Sequence, residues 1–160
     1  MDNKNNTFNN VTTKEGYARF AQELDLLKTV KRAETAEKIK TAKEFGDLSE
    51  NSEYDAALEE QGFIENRILE LEYFLKNVQI IEAKNDNIVN VGKTVSLIKE
   101  DDGQVFIVKI VGNNEASPFS MEISALSAVG SAIMEKQQGE TVEVDTPIGK
   151  ITYIIDKVEI

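Results

Sequence analysis

The strongest constraint on the fold is a stripe of mainly apolar residues in the middle of the chain. Between residues 54 and 78 they recur in alternating steps of three and four: Tyr54, Ala57, Gln61, Ile64, Ile68, Leu71, Leu75 and Val78. This spacing places them on one side of an α-helix and is the pattern of a coiled-coil seam. The segment is therefore predicted to be a long helix that needs a partner to cover this side.

A second long helix is predicted upstream, from about residue 13 to residue 44. Thr12 and Glu15 have the spacing of a capping box, which marks a helix start. The apolar positions that follow are Tyr17, Phe20, Leu24 and Leu27, and then Val30, Ala33, Ala36, Ile39 and Ala42. Because only a short turn, about residues 45–49, separates the two helices, they should pair antiparallel with their stripes facing each other. The result is an arm of roughly 45 Å.

Beyond Ile81 the pattern changes to alternating, β-branched segments, which predicts a separate domain. The expected elements are strands at 94–98 and 105–111, a short helix at 127–134, and a hairpin formed by 141–144 and 151–155. The fold class is α+β: an N-terminal antiparallel α-helical coiled-coil hairpin followed by a small domain with an antiparallel sheet. The predicted boundaries are 1–82 for the tail and hairpin, 83–90 for a linker and 91–160 for the C-terminal domain.

Composition excludes several kinds of chemistry. The chain has no Cys and no His, which removes disulfides, thiol nucleophiles, ordinary zinc sites and imidazole catalysis. Its net charge of −11 argues against a general grip on nucleic acid phosphates, so any such contact should be local and use the Lys/Arg stretch from Lys28 to Lys43. No apolar run reaches the roughly 18 residues of a membrane span, and the polar N-terminus does not resemble a secretory signal. A soluble, cytoplasmic protein without a membrane partner is expected.

The charge reverses sign at the turn between the two helices. The basic residues before the turn are Lys28, Lys31, Arg32, Lys38, Lys40 and Lys43. The acidic residues around and after it are Glu44, Asp47, Glu50, Glu53, Asp55, Glu59 and Glu60. A plain interpretation is that Asp47 or Ser49 caps the second helix while Glu50 and Glu53 lie near its positive end.

A second interpretation concerns metal binding. Asp47 and Glu50 are three residues apart and can direct their oxygens at one cation, and two carboxylates with few other ligands suit Mg²⁺ shared with a phosphate. Such a half-site is useful only if a partner supplies the other ligands. Leu48, apolar at a turn, either covers Phe45 or seats the tip, residues 46–53, against that partner.

The tip sequence resembles that of a known family. Residues 46–57, GDLSENSEYDAA, resemble the G-D-L-x-E-N-A-E-Y-x-A-A motif of the bacterial transcript cleavage factors, the Gre family, GreA type. Residues 23–28 are similar to the family's first helix, and residues 146–149, TPIG, resemble its T-P-x-G hairpin.

This resemblance implies a coiled-coil arm that enters the secondary channel of RNA polymerase toward the 3′ end of backtracked RNA. It implies that Asp47 and Glu50 act in trans as catalytic ligands of an Mg²⁺ shared with the polymerase, with no cofactor of the factor's own. The residues it assigns to contacts with polymerase or RNA are Lys43, Leu48, Ser49, Asn51, Glu53 and Tyr54. It further implies a monomeric accessory factor, not itself an enzyme, whose C-terminal domain is FKBP-like and docks outside the channel.

Some residues depart from the family pattern, and other functions stay open. Leu58 stands where relatives often have Arg, which predicts weaker contact with RNA, and Ala128 replaces a usual Pro in the docking domain. One alternative is a regulator of the same shape that blocks the channel without stimulating cleavage. A structural adaptor or an FKBP-like isomerase is a third, although the sequence of the C-terminal half shows no aromatic-lined pocket that would favour the isomerase.

Overall fold

The computed structural model describes residues 8, 10–44 and 52–160. They divide into two compact units. The helical unit is Tyr17–Asn77, and the sheet unit combines the described residues up to Gly16 with Val78–Ile160. The chain thus leaves the sheet unit once, after Gly16, and returns to it at Val78.

The helical unit consists mainly of the two predicted helices, of which the first begins three residues before the unit does. The first is helical from Lys14 to Glu44 and comprises α1 (Lys14–Leu26), a π-helical turn (Leu27–Lys31) and α2 (Arg32–Glu44). The second, α3, spans Ser52–Asn77. The predicted seam of α3 is confirmed in its main positions, since its buried residues are Ala57, Ile64, Ile68 and Leu71.

The π-helical turn changes which side of the first helix is buried. The N–H of Arg32 donates to the carbonyl of Leu27, five residues back, so this turn holds about one residue more than an α-helical turn. Beyond it the buried positions are Thr35 and Ala42, while Val30 is 39% exposed and Ala33 and Ala36 are exposed. The predicted continuation of the stripe through Val30, Ala33 and Ala36 is therefore wrong, because the extra residue shifts the helix phase.

Ion pairs join the first helix to α3 along its length. The Arg32 guanidinium donates to both carboxylate oxygens of Glu65 at 2.7 Å. The other pairs between the helices are Lys38 with Glu60, Arg67 with Glu23, and Lys28 with Glu72. From Lys28 through Arg32 to Lys38 on the first helix, the partners on α3 fall from Glu72 through Glu65 to Glu60, as expected for antiparallel helices. The hydrogen bonds from Arg32 also hold the pKa of the Glu65 carboxyl below its ordinary value.

The sheet unit is built on a five-stranded sheet in the order β5-β4-β3-β7-β6. Its strands are β3 (Thr94–Lys99), β4 (Val105–Val111), β5 (Glu122–Ser124), β6 (Thr141–Thr146) and β7 (Gly149–Glu159). The neighbours are antiparallel except that β5, which the sequence did not predict, runs parallel to β4. A short helix, α4 (Ala128–Ile133), begins at Ser127, whose side chain accepts a hydrogen bond from Gly130 N. The α+β class, with a helical hairpin before a sheet domain, is confirmed.

The core of the sheet unit comes from alternate positions of these strands, as period-two patterning requires. Val95 and Leu97 of β3 are at most 1% exposed, and so is Ile155 of β7. Val89 is also fully buried in this core, although it lies in the segment expected to be a linker. Lys93 is fully buried too, and its ammonium group binds both the carbonyl and the carboxylate of Asp86.

The N-terminal segment forms a short strand that pairs with residues just after α3 in the sequence. Strand β1 (Val11–Thr12) pairs in parallel with β2 (Gln79–Ile80), and Ile81 N donates to Thr12 O at 2.9 Å. The residue that caps α1 is Thr13, whose hydroxyl accepts from Gly16 N at 2.9 Å. The predicted capping box of Thr12 and Glu15 is therefore wrong, because Thr12 belongs to β1 and its hydroxyl donates elsewhere.

Candidate functional site

The candidate site is the connection between α2 and α3. The residues on which its chemistry depends are Asp47, Leu48, Ser49, Glu50 and Asn51, and all of them lie outside the described residues. Their roles as metal ligands and partner contacts stay predictions. The structure does describe the two helix ends that residues 45–51 connect.

These two helix ends contact each other through Lys43 and Tyr54. The Lys43 ammonium nitrogen lies 5.8 Å from the centroid of the Tyr54 ring, which is the geometry of a cation–π interaction. Both residues were predicted to contact a partner, and no contact between the two was expected. Antiparallel pairing was the available signal, since it brings the last turn of one helix beside the first turn of the next.

The basic stretch before the tip is largely neutralised by carboxylates of the helical unit. Lys31 pairs with Glu34 at 2.8 Å and Lys40 with Glu37 at 3.6 Å, in addition to the pairs with α3. Lys43 instead lies against an aromatic ring, at the position nearest the tip. The contact of Lys43 with polymerase or RNA stays a prediction.

A shallow groove of about 740 Å³ runs between α2 and α3 near the tip. Small side chains, Thr41, Ala42, Ala56 and Ala57, line it together with flanking carboxylates that include Glu53. Of these small residues, Ala42 and Ala57 are buried where α2 and α3 pack together. Among residues 10–44 and 52–160, no group of three or more carboxylates is placed to hold a metal ion. Glu53, assigned by resemblance to partner contact, lies in the first turn of α3.

Comparison with known proteins establishes the family. A sequence model described as "Transcription elongation factor, N-terminal" matches residues 10–80, and one described as "Transcription elongation factor, GreA/GreB, C-term" matches residues 84–160. The chain belongs to the GreA/GreB family of transcription elongation factors. The resemblance seen at the tip thus extends over nearly the whole chain.

Similar curated proteins carry the same family name. The chain is 48% identical over 149 residues to "Transcription elongation factor GreA" of Oceanobacillus iheyensis, covering 92% of this chain and 94% of that protein. It is 46% identical over 147 residues to the protein of that name from Bacillus subtilis, covering 91% and 94%. Among solved structures, GreA factor homolog 1 (Gfh1) of Thermus thermophilus is 28% identical with a TM-score of 0.42, covering 93% of this chain and 97% of that one.

The sheet unit of this GreA/GreB-family chain contains an apolar pocket that was not predicted from the sequence. Its volume is about 350 Å³, and its walls include Leu97, Phe106, Ile123, Val129 and Tyr153. The rings of Phe106 and Tyr153 meet edge to face with centroids 6.1 Å apart. The expectation that this half lacks an aromatic-lined pocket is therefore wrong, because strands distant in sequence bring the two rings together.

In the described part of the chain, no helix is long and apolar enough to span a membrane.

Proposed function

We propose that this protein stimulates the hydrolysis of backtracked nascent RNA by RNA polymerase. The arm enters the secondary channel of the polymerase, and Asp47 and Glu50 help to hold an Mg²⁺ ion shared with the polymerase site. The observation that carries this proposal is that a chain of the GreA/GreB family has both acids within the motif at residues 46–57. When bound, the ion supplies Lewis-acid chemistry at an RNA phosphodiester.

The described helices support the proposal by their dimensions and their ends. A hairpin made of α2 and α3, held by cross-helix ion pairs and small seam residues, is long and thin. The contact of Lys43 with Tyr54 joins the last turn of α2 to the first turn of α3, the two helix ends that residues 45–51 connect. An arm of this kind can carry two carboxylates through a narrow passage without a bulky domain around them. The factor completes a site and is not itself a nuclease.

The test uses a stalled, backtracked elongation complex with Mg²⁺. The wild-type protein is expected to shorten the RNA from its 3′ end. Asp47→Asn and Glu50→Gln are each expected to lower the cleavage rate by about 100-fold, because each removes a ligand from a metal worth several kcal/mol. Both variants should also raise the Mg²⁺ concentration that gives half-maximal cleavage.

Matched controls remove the same charge from neighbouring positions. Asp55→Asn and Glu59→Gln change exposed acids on α3 outside the proposed pair and are expected to cleave like the wild type. All variants should still compete with the wild type for the polymerase. If all of them cleave equally, the metal role of Asp47 and Glu50 is refuted.

A channel-blocking regulator is the alternative that the same assay separates. Such a protein would slow nucleotide addition and leave the RNA length unchanged at every Mg²⁺ concentration. The proposal expects the reverse, since elongation resumes once a new 3′ end lies in the polymerase site.

A further inference from the structure

Glu115 is a buried acid in the sheet unit that the proposed function does not use. It ends the short 3₁₀ turn Asn113–Glu115 and is only 4% exposed. Its carboxylate accepts hydrogen bonds from the Thr13 N–H at 2.8 Å, the Thr13 hydroxyl at 2.6 Å and the Thr12 hydroxyl at 2.8 Å. The Gly112 N–H donates to it as well, at 3.2 Å. A carboxylate buried to this degree is stable only where several donors replace lost water.

These donors come from the segment that starts the first helix of the arm. Thr13 is the N-cap of α1, and its hydroxyl accepts from Gly16 N while it donates to Glu115. A carboxylate near a helix N-terminus also interacts favourably with the helix dipole. Glu115 therefore serves as an acceptor at the first turn of α1 although it lies 102 residues from Thr13 in the sequence.

Two glycines make this close approach sterically specific. A Cβ atom on Gly16 would lie 1.9 Å from Glu115 Oε2, and one on Gly112 would lie 2.0 Å from the Val11 carbonyl oxygen. Both distances are far below van der Waals contact. The first turn of α1 and the loop that carries Glu115 can therefore approach this closely only because Gly16 and Gly112 have no side chain. We refer to Thr12, Thr13, Gly16, Gly112 and Glu115 as the clasp.

All five residues of the clasp belong to the sheet unit, and Gly16 is the last residue of that unit before the chain continues along α1. The chain leaves the sheet unit after Gly16 and re-enters it at Val78, and the parallel strands β1 and β2 hold the flanking residues side by side. Three of the four hydrogen bonds described above to the Glu115 carboxylate come from Thr12 and Thr13, directly before α1. We propose that Glu115 is a positioning residue that fixes the hydrogen bonding of the first turn of α1, where the first helix of the arm begins. Its effect on RNA cleavage rests on the proposed function.

The first test measures amide hydrogen exchange in the full-length protein. Glu115→Gln and Thr13→Val are expected to speed exchange at the Gly16 amide by about tenfold or more, because each disrupts a charge-assisted hydrogen bond in the clasp. In Glu115→Gln the Thr13 amide should exchange faster by a similar factor. The amides of Ile110 and Ile155, in the core of the sheet, should not change. Thr13→Ser keeps the hydroxyl and should behave like the wild type.

The second test separates positioning from general stability in the cleavage assay. At saturating factor, Glu115→Gln and Thr13→Val are expected to lower the maximal cleavage rate by about tenfold, with little change in the concentration for half-maximal competition at the polymerase. Val144→Ala removes buried volume from β6 away from the clasp and serves as the stability control. It should keep the wild-type maximal rate at a temperature where all variants are folded.

Two results would overturn the inference: unchanged exchange at Thr13 and Gly16 in Glu115→Gln, or a maximal rate for that variant equal to that of Val144→Ala. A wild type that fails to stimulate cleavage refutes the proposed function instead. In that case the exchange rates alone decide whether Glu115 holds the first turn of α1.

Discussion

Two glycines in helices, Gly62 and Gly16, differ in the space around them. Replacing each by alanine should therefore change the free energy of unfolding in opposite directions. Gly62 is exposed within α3, and a Cβ atom added there would have no heavy atom within 4 Å, so Gly62→Ala should stabilise the protein by about 1 kcal/mol through helix propensity. At Gly16 the same Cβ would lie 1.9 Å from Glu115 Oε2. Overpacking there costs about 1–3 kcal/mol, which exceeds the propensity gain. Urea unfolding of both variants measures the difference, and equal shifts in the same direction would contradict it.

The pair of Asp86 and Lys93 predicts a pH dependence of stability. The hydrogen bond from the Lys93 ammonium, followed by that from Ile88 N, holds the pKa of the Asp86 carboxyl below its ordinary value. A pKa lowered in the folded state contributes stability that is complete above the unfolded value and disappears as pH falls through the folded one. Between about pH 5 and pH 2 the wild type should therefore lose stability more steeply than Asp86→Asn. At pH 7 Asp86→Asn should be the less stable, because it leaves the buried Lys93 charge poorly paired.

Urea midpoints measured across this pH range test the effect of Asp86. Asp145→Asn, which changes an exposed acid on β6, is the control and should follow the wild-type curve. Parallel curves for the wild type and Asp86→Asn would show that the interaction with Lys93 contributes no pH-dependent stability.

Among the helices, the π-helical turn predicts that one residue can be removed from the first helix. Deleting Thr29, which is exposed and lies in this turn, should restore regular α-helical geometry and keep Thr35 and Ala42 in the seam. Helix α2 has no extra residue that could compensate for a deletion, so deleting Glu37 should rotate the residues that follow it by about 100°. Thermal unfolding followed by circular dichroism should show a much larger loss for the Glu37 deletion, and equal losses would contradict this interpretation.

The helices and strands differ in how far their sequence predicts them. Helix α3 and strand β4 were predicted closely, because each has a long periodic run of apolar residues between clear breaks. Strands β1, β2 and β5 have two or three residues each and leave no periodic signal. No residue type marks the π-helical turn in the sequence, so the side of α2 that is buried was predicted incorrectly.

In the complete fold, the residues of functional interest are of two kinds. Asp47 and Glu50 are predicted from a local motif, which needs no knowledge of packing. The contact of Lys43 with Tyr54 joins the ends of two successive helices, and the hydrogen bonds of Glu115 reach residues about 100 positions away in the sequence. Pairings of this second kind depend on which surfaces meet, and neither residue of a pair reveals its partner by type.

Local sequence is enough to predict that two long helices pair antiparallel and that an α+β domain follows, because periodicity and breaks are local properties. The placement of Asp47 and Glu50 at the connection between the helices stays a prediction. Three-dimensional packing was needed to establish the phase of the first helix beyond Lys31, the capping of α1 by Thr13, and the burial of Lys93 and Glu115. The helix phase, the cap and the two buried charges each depend on contacts with residues from several segments of the chain. A buried charge is tolerated only where distant donors or acceptors converge on it.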